Sequence, residues 1–169
     1  MPLSMYQGSV PVFAKALRNL RAVLEKGASH ASARKIDESA FMQARLFPDM
    51  RPLTFQVQVA TDMARGCAAR LAGTEPPKFE DKEATFAELI DRIDRTLAYV
   101  EGLDRKAFDG AESRTITRPV RSQPHAFTAE NYLQQFTLPN LYFHCATAYN
   151  LLRHNGVELG KADFLGKLD

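Results

Sequence analysis

Leu138-Pro139-Asn140-Leu141-Tyr142-Phe143-His144-Cys145-Ala146-Thr147-Ala148-Tyr149-Asn150-Leu151-Leu152-Arg153-His154-Asn155-Gly156 is the stretch on which the fold turns. Leu141, Tyr142, Cys145, Ala148, Tyr149 and Leu152 recur at the three- and four-residue spacing of one helix face. Arg153 and His154 place basic groups in the last turn, where free carbonyls favour positive charge, and Gly156 stops the helix just beyond. Upstream, Thr128 offers an N-cap for residues 129–136. Pro139 then breaks or kinks the pattern, because it has no N–H to give.

Outward from this segment the same period appears three more times. Tyr6, Val10, Phe13, Leu17, Leu20 and Leu24 mark a helix over residues 4–26, with Ser4 as N-cap, Gly27 as stop, and Pro11 as a kink or the true start. Phe55, Val59, Met63, Cys67 and Leu71 mark a second, over residues 52–72, opened by Pro52 and closed by Gly73. Gly66 inside it costs about 1 kcal/mol against alanine, and close approach of a neighbouring helix would offset that. Phe86, Leu89, Ile90, Ile93, Leu97 and Val100 mark a third, over residues 84–102. Glu88–Arg92 and Asp91–Arg95 are expected as i,i+4 ion pairs on its other face.

The connectors are informative too. Residues 37–42 suit a short helix, and 114–118 alternate with β-branched residues, as in a strand or hairpin ended by Pro119 and Pro124. Arg114, Arg118 and Arg121 form a compact basic cluster, read first as a solvated hairpin and otherwise as an anion or subunit contact. The tail is expected to fold back through Leu159, Phe164 and Leu165. Residues 73–83, extended, reach about 36 Å, enough to cross between the far ends of two parallel helices about 30 Å long.

The whole is an all-α, four-helix pattern with a short hairpin or irregular insertion before the last helix, expected as one domain over residues 1–169. The 169 residues are 45% hydrophobic and 25% charged, with a net charge of +2. That balance is globular and gives no case for nucleic acid or an anionic membrane. The two cysteines, Cys67 and Cys145, are far apart and make neither a disulfide framework nor a zinc-finger pattern. Both suit small buried hydrophobes. The first residues lack the basic and apolar regions of a signal peptide, and no apolar run reaches membrane-spanning length, so a cytoplasmic location is expected.

Leu138–His144, Ala148-Tyr149, residues 152–157 and residues 159–166, with Ser4-Met5-Tyr6 and residues 56–64, together resemble a bacterial family of unknown function within the DinB/YfiT-like metalloenzyme superfamily. The resemblance implies a bundle in up-down-down-up order and a homodimer. It also implies a divalent metal held by three histidines, one from the second helix and two from an H-x-x-x-H on the last. Characterised members of that superfamily include low-molecular-weight-thiol transferases and a maleylpyruvate isomerase. His144 falls at the first position of the H-x-x-x-H, but Ala148 stands at the second, and residues 52–72 contain no histidine.

The candidate pocket is therefore His144 with Gln58 and Asp62, which share a face of the second helix, flanked by Asn140 and Tyr149. His154 lies about 15 Å along the helix from His144 and cannot share an ion with it. His30 and His125 fall in expected loops. One imidazole, one carboxylate and an amide oxygen would hold zinc or nickel weakly, so a divalent metal is possible but not favoured. Two readings stand: a non-catalytic or small-molecule-binding dimer with a degenerate metal site, and a pocket enzyme related to metal-dependent thiol transferases that uses His144 as ligand or acid/base.

Overall fold

Ser4 takes an extended conformation and its hydroxyl accepts the Gln7 N–H, while the Gln7 side chain returns to the Ser4 N–H. This reciprocal cap starts α1, Met5–Arg34, in a computed structural model that describes residues 3–120 and 122–167. The helix runs through Pro11 and does not stop at Gly27. Gly27 is buried mid-helix, and a Cβ there would lie 2.9 Å from the Phe86 ring and 3.2 Å from Leu152. This glycine is small because two neighbouring elements press on it, and Lys35, in the left-handed region, ends the helix instead.

Asp37 caps the short α2, Glu38–Met42. Pro52 opens α3, Leu53–Ala72, and Gly73 closes it at φ +71°, as the sequence pattern predicts. Gly66 is not a helix-crossing point: the guanidinium of Arg70 fills the space, with Nη1 donating to the Gly66 carbonyl at 2.6 Å. Thr85 and Glu88 form a second capping box that starts α4, Phe86–Glu101. Glu88 is thus a cap and not a partner of Arg92, which is fully buried; the Asp91–Arg95 pair does form, at 2.8 Å.

After two short 3-10 turns, β1 (Thr115–Val120) and β2 (Gln123–Thr128) pair antiparallel. Pro119 and Pro124 do not end these strands. They face each other across the ladder near the tip, where their missing N–H groups interrupt pairing least. Arg121 lies outside the described residues. Arg114 donates to the Leu71 carbonyl and Arg118 approaches Gly66, so these two seat the hairpin on α3.

Thr128 caps α5, Ala129–Asn131. The chain then widens into a π-helical turn, Tyr132–Thr137, before α6, Leu138–His154. Pro139 sits in the first turn of α6, where its missing N–H costs little, and the π turn keeps its ring clear of the preceding carbonyls. α7, Lys161–Leu165, folds back on α1. No helix among the described residues is long and apolar enough to cross a membrane.

The four long helices enclose a core of Phe13, Leu17, Leu24, Val57, Leu71, Leu89, Ile93, Leu141 and Leu152, with both cysteines buried in it. Each such large side chain contributes about 1.5–3 kcal/mol by leaving water. α1 lies chiefly against α4, and α3 is central, with α6 on one side and α4 on the other.

Candidate functional site

Residues two apart on a helix point to nearly opposite sides, and residues four apart share a side. α3 uses this difference. Gln56 faces α6, while Gln58 and Asp62 face α4 and the 73–85 connector. The sequence candidates therefore fall into separate environments.

On the α6 side, His144 Nδ1 lies 2.7 Å from Gln56 Oε1. The amide of Gln56 is oriented by its other end, because Nε2 donates to the Arg51 carbonyl at 2.8 Å. A carbonyl only accepts, so Oε1 must face the histidine, and His144 carries its proton on Nδ1. That leaves Nε2 with a lone pair. The half-buried ring stands edge-on to Phe55 and Phe143, with centroids 6.2 and 5.2 Å away. Burial pushes the imidazolium pKa below its usual value, so the ring is neutral at pH 7.

A histidine whose folded pKa is depressed binds fewer protons folded than unfolded. Its stabilising effect is complete above the unfolded pKa of about 6.5 and is lost as pH falls through that value toward the folded one. His144→Gln is expected to flatten the pH dependence of the urea midpoint in this window; an unchanged slope would assign it to other groups.

On the α4 side, Arg92 is fully buried, and each of its three guanidinium nitrogens has a partner. Its Nε donates to Thr61 Oγ1 at 2.8 Å and its Nη2 to Asp62 Oδ1 at 2.9 Å. Nη1 meets Glu83 and Asp81, each at 2.9 Å, and the Glu80 carbonyl at 3.2 Å. Arg65 Nη2 also reaches Asp62, at 2.6 Å. Gln58 Nε2 donates to the second oxygen of Glu83 at 2.9 Å. Phe79 lies under the guanidiniums of Arg65 and Arg95, at 4.0 and 4.5 Å from its centroid. For Glu83, burial works to raise the carboxyl pKa, but hydrogen bonds from Gln58 and Arg92 outweigh it and hold the group below its usual value. For Asp62, burial wins and the pKa rises despite Arg65 and Arg92. This network ties the connector to α3 and α4.

The remaining candidates lie apart. Asn140 Nδ2 donates to the Phe136 carbonyl at 2.6 Å, satisfying an acceptor at the end of the π turn. Tyr149 stands edge-on to Phe164 of α7, with centroids 6.1 Å apart. Gln56, Arg65, Glu83 and, beyond its expected pairing with Glu88, Arg92 were not singled out as site residues by the sequence reading. Arg92 could have been, since it sits three residues after Leu89 and one before Ile93, beside the apolar stripe.

A tightly held transition metal wants three or more imidazole, thiolate or carboxylate ligands converging on one point. The resemblance implies such a metal, and these residues do not fit it. His144 offers one free nitrogen, Ala148 offers none, Gln56 is committed to the ring, and Gln58 and Asp62 are bound to Glu83 and the arginines. Among the described residues no group of three His, Cys, Asp or Glu side chains is placed to hold an ion. Burial pushes both thiols up to about 12, so neither cysteine supplies a thiolate.

A family model described as a domain of unknown function (DUF1993) matches residues 5–165. No curated protein matches the chain. Among solved structures, it is similar to a DinB family member protein from Shewanella denitrificans, at 41% identity and a TM-score of 0.90, covering 96% of this chain and 92% of that one.

Proposed function

Since the chain belongs to the DUF1993 family, we propose that it is a non-catalytic DinB-like bundle, a homodimer that binds a small molecule without turning it over. The observation that carries this reading is the separation of Gln58 and Asp62, held in the Arg92 network, from His144, held by Gln56. The side chains that would complete a metal or acid–base site are already engaged in holding the fold.

Up-down-down-up order belongs to the same proposal, and residue contacts support it. Arg18 meets Glu101 and Gly27 meets Phe86, as in antiparallel α1 and α4. Thr61 meets Arg92 and Thr74 meets Tyr99, as in parallel α3 and α4. Gln56 meets His144 and Arg70 meets Tyr132, as in antiparallel α3 and α6. The dimer is supported by Tyr142 and Phe143, which leave 44% and 57% of their surface exposed on α6.

Elemental analysis of protein purified without a metal-affinity tag tests the first claim. Nickel, zinc and iron are expected well below one per chain; a stoichiometric ion would overturn it. Light scattering tests the dimer, which requires twice the 18.9 kDa chain mass; a monomer would remove that part.

The bare Nε2 of His144 favours one second reading, a pocket enzyme related to metal-dependent thiol transferases. His144→Ala separates the two. In the non-catalytic reading it orphans the buried Gln56 oxygen and costs about 1–3 kcal/mol, with ligand binding unchanged. In the enzyme reading the same stability cost appears, because the Gln56 oxygen is orphaned either way, and binding is lost as well.

A further inference from the structure

Tyr142, Cys145 and Tyr149 share one face of α6, three and four residues apart, while His144 is rotated about 100° from Cys145. That face borders a cavity of about 270 Å³ between α1, α6 and α7. Ala16, Leu20 and Val23 line it from α1, and Phe164 covers it from α7. The cover is fastened: Asn19 Nδ2 donates to the Phe164 carbonyl at 3.0 Å, and Lys26 pairs with Asp163 at 2.6 Å. Gly166 turns the chain away at φ +66°, where a Cβ would strike the Asn19 amide.

Size and charge specify the occupant. A dry cavity of about 150 Å³ holds a benzene ring, so this one holds a fused pair of rings. Lys15 is the single charged side chain in the lining, and no carboxylate accompanies it. Among the described residues it forms no ion pair. Asn19 and the two tyrosines add hydrogen-bonding groups to an otherwise apolar wall, which is the usual make-up of a small-molecule site. We propose that the α1–α6–α7 cavity binds a compact aromatic carboxylate of naphthalene size, its rings beneath Phe164 and its anion at Lys15. That a ligand is bound rests on the reading above; the site and ligand class are new.

The test titrates the full chain with 2-naphthoate, and with neutral 2-naphthylmethanol as control, followed by probe fluorescence. Saturable one-to-one binding is expected, with the carboxylate about tenfold tighter than the alcohol, a difference of about 1.4 kcal/mol. Lys15→Gln should erase that preference and keep alcohol binding. Ala16→Phe should abolish both; Val12→Phe repeats the test should Ala16→Phe fail to melt cooperatively. No saturable binding, or binding indifferent to all three substitutions, would overturn the site. So would loss of binding as rising protein concentration drives dimerisation, which gives the cavity to a second copy. The probe is expected back unchanged by NMR. Conversion with binding intact would overturn the non-catalytic reading alone and leave the site standing.

Discussion

Arg92→Ala is expected to lower the unfolding free energy by about 3–5 kcal/mol, the usual cost of removing one partner from a buried ionic cluster. For a domain whose total stability is about 5–15 kcal/mol, this is a large fraction. The loss exceeds that of the hydrogen bonds themselves. Glu83, with a side chain only 5% exposed, keeps its charge and loses its counter-ion, and Thr61 loses its donor. A urea titration at neutral pH measures it as a lower midpoint at an unchanged slope; a loss under about 1 kcal/mol would show the network to be a surface feature. The pH dependence carries a second signature. In the parent protein the Glu83 carboxyl is held below its ordinary value. The stability it supplies is therefore complete above the unfolded pKa of about 4.3 and drains as pH falls through the folded one. Without Arg92 the burial that opposes ionisation dominates. The deficit of the variant should then shrink as pH is lowered toward 4.

Phe86→Ala is expected to cost a similar amount, about 3–5 kcal/mol. The ring is 1% exposed at the start of α4, lies 5.7 Å from the Phe41 ring, and fills the space left by Gly27. Gly27→Val alone should cost about 1–3 kcal/mol by overpacking, because its first added carbon already meets the ring at 2.9 Å. Combined with Phe86→Ala, the valine enters the vacated space. The double variant should be more stable than the sum of the two losses predicts, by about 1 kcal/mol or more. Thermal melts of the four proteins give the coupling, and strict additivity would show that the two residues do not share that space.

What the sequence made legible is what depends on local chemistry. The α1 and α4 stripes, the Ser4 and Thr128 caps, the Pro52 start and the Gly73 stop are each present, whereas on α3 Phe55, Val59 and Met63 are only half-buried and the core face runs through Val57, Ala60, Ala64 and Leu71. Gly27 was misleading because a glycine that ends a helix and one that admits a neighbouring ring look alike until the neighbour is placed. Arg92 was misleading because a charged residue four after Glu88 suits a surface pair. Only the connector, folding back with Asp81 and Glu83, makes its burial tolerable. The candidate pocket joins residues of the second helix, Gln58 and Asp62, to residues of the last, Asn140, His144 and Tyr149. Gln58 and His144 both lie close to an apolar stripe, yet α3 is flanked on two sides, and a stripe does not say which side a bordering residue joins.

The π turn at Tyr132–Thr137 sets the phase of everything after it. Such a turn behaves as one residue inserted into an otherwise regular helix. Six residues there make about the rotation that five make in regular winding, so deleting one would let the helix wind regularly and leave α6 in its present phase, whereas regular winding at full length would rotate α6 by about 100° relative to the hairpin. In that second case the side chains that now look toward α3, α1 and solvent would each move on by roughly a quarter to a third of a revolution. The widened turn hides one surplus residue from the packing of the last long helix, so a one-codon deletion within it should be tolerated, while the same deletion further along α6 would exchange the faces of everything beyond it.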